Sequence, residues 1–245
     1  MTDILRLLPL LDADGPTQMA ADDALLHSAS TGVASMRFYT WRPATLSLGY
    51  FQPAAARLVD PLLAAMPWVR RPSGGGAIVH HHELTYAIAL PAGERWQPRG
   101  QSWLCRMHHL IVEVLQQHRV PTDTGTCGVE RRLGDFLCFE HHTPGDVLIG
   151  EHKIVGSAQR RYRGATLQHG SILLAQSEFT PSLPGLLELA QVDLSPELLA
   201  GEIVDQLQRQ TNWDIKADEW SQREKEHLQA QRDERFTQLA WNERR

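Results

Sequence analysis

Between Asp135 and Arg161 the chain reads Asp-Phe-Leu-Cys-Phe-Glu-His-His-Thr-Pro-Gly-Asp-Val-Leu-Ile-Gly-Glu-His-Lys-Ile-Val-Gly-Ser-Ala-Gln-Arg-Arg, and two of its side chains can do covalent chemistry: Cys138 and Lys153. A thiolate attacks carbonyl carbon well even as a minor species. An ammonium group beside it can stabilise that anion, bind a carboxylate or an oxyanion, or move a proton. Each residue also has a plainer reading. A cysteine between Leu137 and Phe139 suits a small buried core residue, and Lys153, bracketed by Gly150 and Gly156, suits an exposed lysine in a strand-turn-strand unit.

A second constellation runs from Arg70 to Tyr86, Arg-Arg-Pro-Ser-Gly-Gly-Gly-Ala-Ile-Val-His-His-His-Glu-Leu-Thr-Tyr. Gly74, Gly75 and Gly76 leave the backbone bare, so main-chain N–H groups can approach a ligand closely. Arg70 and Arg71 would offer charge and donors to a carboxylate, phosphate or acyl-phosphate. The same pattern also fits a glycine-rich hairpin connection with surface arginines. It is neither G-x-G-x-x-G nor G-x-x-x-x-G-K-[ST], so no dinucleotide or P-loop site is indicated. The strand-like run Leu167 to Leu174 carries His169, which by itself reads as a packed or surface histidine. Twelve histidines, clustered at 80–82, 108–109 and 141–142, invite a metal, but no zinc-type spacing accompanies them and none is expected.

Several elements must hold these residues. Gln18 to Ser28 has the spacing of a short amphipathic helix, with Asp22 and Asp23 on its solvated side. Met36 to Gly49 splits at Arg42-Pro43 into two strands, and Trp41, Leu46, Leu48 and Phe51 read as core and pocket wall. Ala54 to Met66 and Ser102 to His118 read as helices, with Cys105 packed beside the apolar stripe of the second. Ala77 to Leu90 reads as one strand and the approach to the next, with a turn at His80 to Glu83. Pro91 to Arg99 is a loop. Gly185 to Val192 and Ser195 to Gln210 turn helical, and Ala217 to Arg245 reads as an amphipathic helix laid back on the core.

The chain has 245 residues, 42% hydrophobic and 22% charged, enough to bury a core without staples. Its net charge of −5 disfavours wholesale nucleic-acid binding. Cys105, Cys127 and Cys138 form no C-x-x-C pair, which argues against a disulfide framework and points to a reducing compartment. Met1 to Leu11 is apolar but short, and no run approaches a membrane span, so a cytoplasmic protein is expected.

The stretch from Arg70 resembles the Arg-Arg-x-[ST]-Gly-Gly-x-Ala-x-x-His signature of the lipoate/biotin protein ligase superfamily. Further motifs resemble it in order: Met-Ala-x-Asp-x-x-Leu-Leu from Met19, Arg37-Phe-Tyr-x-Trp-x-Pro-x-x-Leu-Ser-Leu-Gly-Tyr-Phe-Gln52, Lys153-x-x-Gly-Ser-Ala-Gln159, Leu167-Gln-His-Gly-Ser171, and Trp241-Asn242. His81 stands where Asp is expected. The resemblance implies an α+β fold, a mainly antiparallel mixed sheet flanked by helices like a biotin or lipoate ligase (class II synthetase-like) catalytic domain. It implies one domain over 1–245, with the helical segment of about 185–245 packed on it. His80 followed by Glu83 to Tyr86, and Cys138-Phe139 ahead of the lysine motif, are similar to the cysteine-dependent protein N-octanoyltransferases.

For those the resemblance implies transfer of an octanoyl group from acyl carrier protein through Cys138 to a lysine of a lipoyl-domain protein such as the glycine cleavage H protein. Lys153 would contact the acyl carbonyl. Arg71, Ser73, Gly74, Gly75, Gly76, Ala77, His80, Gly156, Ser157, Ala158, His169 and Gly170 would line or bind the acyl group. No cofactor or metal is then required, and no nucleic acid or membrane partner is implied. Arg160, Arg161 and Arg163 are placed to meet the acidic carrier, or are simply exposed. Two alternatives stand beside this reading: an ATP- and Mg-dependent lipoate-protein ligase, toward which Gly76 tilts because some octanoyltransferases carry Arg there, and a non-catalytic acyl-binding protein.

Overall fold

In the computed structural model, which describes residues 3–100, 102–124, 131–132 and 134–245, Asp14 starts the first helix. Its carboxylate accepts the Thr17 amide at 2.9 Å, and Pro16 follows in the first turn, where no intrahelical donor is needed. The helix, Gly15–Ala29, lies on one face of a sheet whose centre is formed by Ser35–Trp41, Glu83–Leu90 and Ala165–Leu173, paired antiparallel. His152–Tyr162, Val147–Ile149 and Thr122–Thr124 continue the antiparallel order on one side. Ile4–Leu7 and Asp214–Ala217 extend it in parallel on the other, and Leu11–Ala13 also pairs parallel with Ser35–Trp41.

Alternation along the strands divides the core into two layers. Tyr39, Trp41, Ala87, Ala89 and Leu167 meet Met19, Ala20 and Leu25 of the first helix. Phe38, Tyr86, Ile88 and Ile172 face the opposite layer, built from Trp103–Gln117 and Pro196–Thr211. Glu83–Leu90 is buried along its whole length because helices cover both faces. This is the expected α+β architecture, a mixed and mainly antiparallel sheet between helices.

A smaller sheet carries the glycine loop. Thr45–Leu48 lies between Trp68–Arg70, parallel to it, and Ile78–His80, antiparallel to it. Residues 71–77 therefore leave one strand of this sheet and return through another. The expected break at Arg42-Pro43 does separate Ser35–Trp41 from Thr45–Leu48, and the turn after His80 sends the chain from the small sheet into the large one.

Five expectations need correction. Asp22 is not solvated but fully buried, because the helix turns it toward the sheet, where Arg37 donates to it at 2.7 Å and Tyr39 at 3.0 Å. Phe51 is not pocket wall in the core but 69% exposed. Cys105 is exposed, since it falls just off the buried stripe of Met107, Ile111 and Val114. Ala54 to Met66 is not one helix: a 3-10 turn, Ala54–Val59, gives way at Asp60 to Pro61–Ala65, where Asp60 caps the Leu62 amide at 2.8 Å. The C-terminal segment is likewise divided into Gln222–Gln231, Arg232–Phe236 and Leu239–Asn242, and it lays Phe236 and Trp241 on the first helix layer. Cys127 lies outside the described residues.

Candidate active site

Cys138 opens a single 3-10 turn, Cys138–Glu140, delivered to the glycine loop by backbone pairing. The Cys138 amide donates to the Ala77 carbonyl at 2.8 Å, and the Ala77 amide to the Phe136 carbonyl at 2.8 Å. Gly76 makes this approach possible. A Cβ there would lie 2.9 Å from the Cys138 nitrogen and 3.0 Å from its Cα. Gly75 holds a φ of +93°, and its carbonyl comes so close to Gly49 that a side chain at 49 has no room.

Lys153 enters from the long strand His152–Tyr162. Its Nζ lies 3.7 Å from Cys138 Sγ and donates to the His141 carbonyl at 3.0 Å and the Cys138 carbonyl at 3.3 Å. Asp146 Oδ2 completes its surroundings at 2.7 Å, and both side chains are buried. Three acceptors thus face the three hydrogens of an ammonium ion, with the sulfur as a further neighbour. A side chain at position 156 would lie 2.7 Å from Lys153 Cε, so Gly156 leaves the lysine its path to Cys138.

Cys138, Gly156, Ser157, Ala158, His169 and Gly170 line a cleft together with Arg71, Gly74, Gly75 and His80. Met19, Tyr39, Trp41 and Ile78 make much of the remaining wall apolar. Such a lining suits a ligand with an apolar body and one reactive end. Among the site residues expected from sequence, Gly76 lies beside the cleft and borders an outer groove, while Ala77 and Ser73 are buried behind the wall. His81 turns away from the cleft, stacked on His82 with ring centroids 3.7 Å apart.

The arginines do not act as free anion binders. Arg70 ties the C-terminal segment down, its amide donating to Asn242 Oδ1 at 2.8 Å and its guanidinium to the Asn242, Gly49 and Gln52 carbonyls. Arg71 reaches the cleft, yet its donors go to Ser47 and to the Gly74 and Gly76 carbonyls, at 2.9 and 2.5 Å for the last two. Arg71 thereby shapes the loop from within. Burial without a carboxylate partner pushes its guanidinium down to about 10.

Two carboxylate-histidine-serine chains flank the cavity. Glu83 Oε1 meets His80 Nδ1 at 2.6 Å, and His80 Nε2 meets Ser47 Oγ at 2.8 Å, with Trp41 stacked on the imidazole at 3.7 Å. Burial pushes His80 below its ordinary value despite Glu83. In the second chain Asp22 Oδ2 meets His169 Nδ1 at 2.8 Å, and His169 Nε2 meets Ser73 Oγ at 2.5 Å. Burial pushes the Asp22 carboxyl upward, but Arg37 and His169 outweigh it and hold that carboxyl below the usual range.

Sequence reading missed Asp146 and the anchors of Ser157. The Thr143-Pro-Gly-Asp146 turn is the signal for the first: Asp146 accepts from the Thr143 amide at 2.7 Å, which aims its carboxylate at Lys153. Ser157 Oγ lies 2.6 Å from His108 Nε2 and 2.7 Å from Tyr86 Oη, and His108 Nδ1 lies 2.5 Å from the Gly145 carbonyl. A histidine inside the apolar stripe of Trp103–Gln117 was the only trace of that contact. Among the described residues no group of three or more His, Cys, Asp or Glu is arranged to hold a metal ion.

A fold of this kind, with a glycine loop, a buried lysine beside a cysteine and an apolar cleft at that cysteine, defines a lipoyl-ligase-type catalytic domain. The Lipoyl protein ligase A/B catalytic domain family matches residues 14–229, and the chain belongs to that family. Its relatives include octanoyltransferase LipM of Exiguobacterium sibiricum, 34% identical over 65% of this chain and 62% of that protein. Octanoyltransferase LipM of Lysinibacillus sphaericus is 37% identical over 64% of this chain and 60% of that protein. The chain thus aligns with somewhat less than two thirds of these relatives' length. Protein Ta0514 of T. acidophilum, a putative lipoate protein ligase, has the same fold: TM-score 0.81 at 21% identity, covering 100% of both chains.

Proposed function

We propose that the protein is an octanoyltransferase that moves an octanoyl group from a carrier-bound thioester to a lysine of a lipoyl-domain protein, by two steps through Cys138. The observation that carries this reading is Lys153 Nζ at 3.7 Å from Cys138 Sγ, at the wall of an apolar cleft. In the first step Cys138 Sγ attacks the thioester carbonyl. A new C–S bond forms, the bond to the carrier's thiol breaks, and the cysteine proton ends on that departing thiol. In the second step the acceptor lysine nitrogen forms the amide bond, and Cys138 leaves with the electron pair and regains a proton. The exchange of thioester for thioester is nearly neutral and the amide drives the second step, so neither nucleotide nor metal enters the balance.

Lys153 opposes the negative charge on carbonyl oxygen or sulfur, and Asp146 keeps it pointed there. The apolar wall orients the chain. The donor would arrive over an apolar and basic surface at the loop. Phe51 and Val59 are exposed there, at 69% and 87%. Arg244 lies 4.5 Å over the Tyr50 ring, Arg245 5.3 Å over that of Phe51, and Arg160 5.9 Å over that of Tyr50. This patch has the charge to meet an acidic carrier protein, and Asp60 and Glu243 only partly offset it. Such an enzyme belongs in the cytoplasm; among the described residues no helix is long and apolar enough to cross a membrane.

The ligase reading drew on Gly76, and the approach of the Cys138 backbone accounts for that glycine without ATP. The two are separated by mass spectrometry of the intact protein after mixing with octanoyl-acyl carrier protein in the absence of ATP. The native chain should gain one octanoyl group that hydroxylamine removes, and Cys138→Ser should gain none. Absence of an adduct, with ATP-dependent loading of an acceptor domain by both proteins, would make this a ligase.

A further inference from the structure

His108 is a buried histidine that the two transfer steps do not use, and its hydrogen bonds lead to Lys153. It belongs to the helix Trp103–Gln117 and is fully buried. Its Nδ1 lies 2.5 Å from the Gly145 carbonyl oxygen, which can only accept, so Nδ1 carries the hydrogen. The lone pair is then on Nε2, and the Ser157 hydroxyl donates to it at 2.6 Å. Tyr86 in turn donates to Ser157 at 2.7 Å and accepts from Gln168 at 2.8 Å. Every hydrogen in this chain runs one way, from the strands toward the Gly145 peptide. Burial pushes His108 below its ordinary value, although the Gly145 carbonyl and Asp146 oppose it, which favours the neutral ring that this order requires.

Gly145 precedes Asp146 in a turn closed on itself. The Asp146 amide donates to the Thr143 carbonyl at 3.1 Å, and its carboxylate accepts the Thr143 amide and hydroxyl at 2.7 and 3.0 Å. Those bonds give the turn its shape, while His108 ties its Gly145 peptide to a helix of the core. From Asp146 Oδ2 to Lys153 Nζ is 2.7 Å, and from there to Cys138 Sγ is 3.7 Å.

We infer that His108 is a positioning residue for acyl transfer: through the Gly145 peptide it fixes where Asp146 holds the Lys153 amine beside Cys138. This inference rests on the transferase reading. Lysine has a long, flexible stem, so its nitrogen stands where its partners put it. Asp146 is the charged partner, and its own place depends on the peptide next to it. Tyr86, Ser157 and Gln168 come from Glu83–Leu90, His152–Tyr162 and Ala165–Leu173, so His108 registers the turn against three adjoining strands of the sheet. It acts through these groups and not on the acyl group.

The test separates the two ends of the imidazole. His108→Asn puts an amide nitrogen where Nδ1 stands and keeps a donor for Gly145. His108→Gln puts an amide oxygen where Nε2 stands and keeps an acceptor for Ser157. Single-turnover formation of the acyl-enzyme from octanoyl-acyl carrier protein is measured over a range of donor concentrations, with circular dichroism as the check that each variant is folded. His108→Asn should acylate within a few fold of native. His108→Gln should be slower by about 10²-fold, the usual consequence of misplacing a reacting group by an ångström, with the loss in the maximal rate and not in the donor concentration at half-saturation. Equal losses in both variants would reduce His108 to packing, and a loss confined to His108→Asn would place its effect at Ser157 and the sheet. Either result overturns the inference while leaving the acyl-enzyme intact. Failure of the native protein to acylate would instead remove the transferase reading itself. Should the variants not fold, nitrogen NMR of the native protein carries the question: the His108 imidazole signals should shift when Cys138 is acylated, and unmoved signals would overturn the coupling.

Discussion

Cys138 depends on the absence of side chains around it as much as on the charge beside it. Gly76 and Gly74 make this testable because they stand two positions apart in one loop. At Gly76 a methyl group would meet backbone atoms of Cys138 and Phe136, at 2.9 to 3.1 Å, and these cannot swing aside. At Gly74 it would meet only the edge of Phe51, at 3.8 Å, an ordinary contact. Gly76→Ala should therefore slow octanoyl-enzyme formation by about 10²-fold, the usual consequence of moving a reacting atom by an ångström, and Gly74→Ala should change it little. Single-turnover acylation of both variants checks this. The pattern also explains why an arginine pair before a glycine run misleads: Arg71 does carry charge to the site, but its hydrogen bonds hold the loop that brings Cys138 in.

At the level of elements, the C-terminal helices matter because they clamp the layers that carry the site. Glu224 of Gln222–Gln231 accepts Arg6 at 2.8 Å and Ser28 at 2.8 Å, joining the strand Ile4–Leu7 to the end of the first helix. Burial pushes the Glu224 carboxyl up, but Arg6, Ser221 and Ser28 outweigh it and bring it from 4.5 to about 2. A carboxyl lowered on folding contributes stability that is present in full above its unfolded value and is lost as pH falls through its folded value. Thermal unfolding of native protein and Glu224→Gln should differ by a constant amount at neutral pH, and the difference should close between pH 4.5 and about 2. A gap that persists at the acid end would mean that the clamp works by packing alone. The first helix bears a heavier duty, because Asp22 and Arg37 form a fully buried pair, and removing one partner of such a pair costs about 3–5 kcal/mol.

Over the whole molecule, charge is distributed against the average. The chain is acidic overall, at −5, yet Arg160, Arg244 and Arg245 gather beside Tyr50 and Phe51 at the glycine loop. Arg244→Glu with Arg245→Glu should raise KM for octanoyl-acyl carrier protein about tenfold or more at low salt while leaving kcat and the use of octanoyl-pantetheine near native. An equal loss with both donors would place the defect in the cleft and not at docking. The sequence by itself determined the family, the α+β class and most residues of the cleft wall, because short motifs with glycines, Cys138 and Lys153 record requirements that act within a few residues. The tertiary structure decided what no local pattern holds. Asp22 looks like a solvated helix residue until the helix is laid on the strands carrying Arg37 and, far along the chain, His169. Asp146 becomes the lysine's partner only when a turn folds over Lys153. Phe51, apolar in a dense motif, is left outside. In each case burial and pairing follow from which surfaces come together, and that is a property of the packed layers that hydrophobic period and spacing along the chain do not contain.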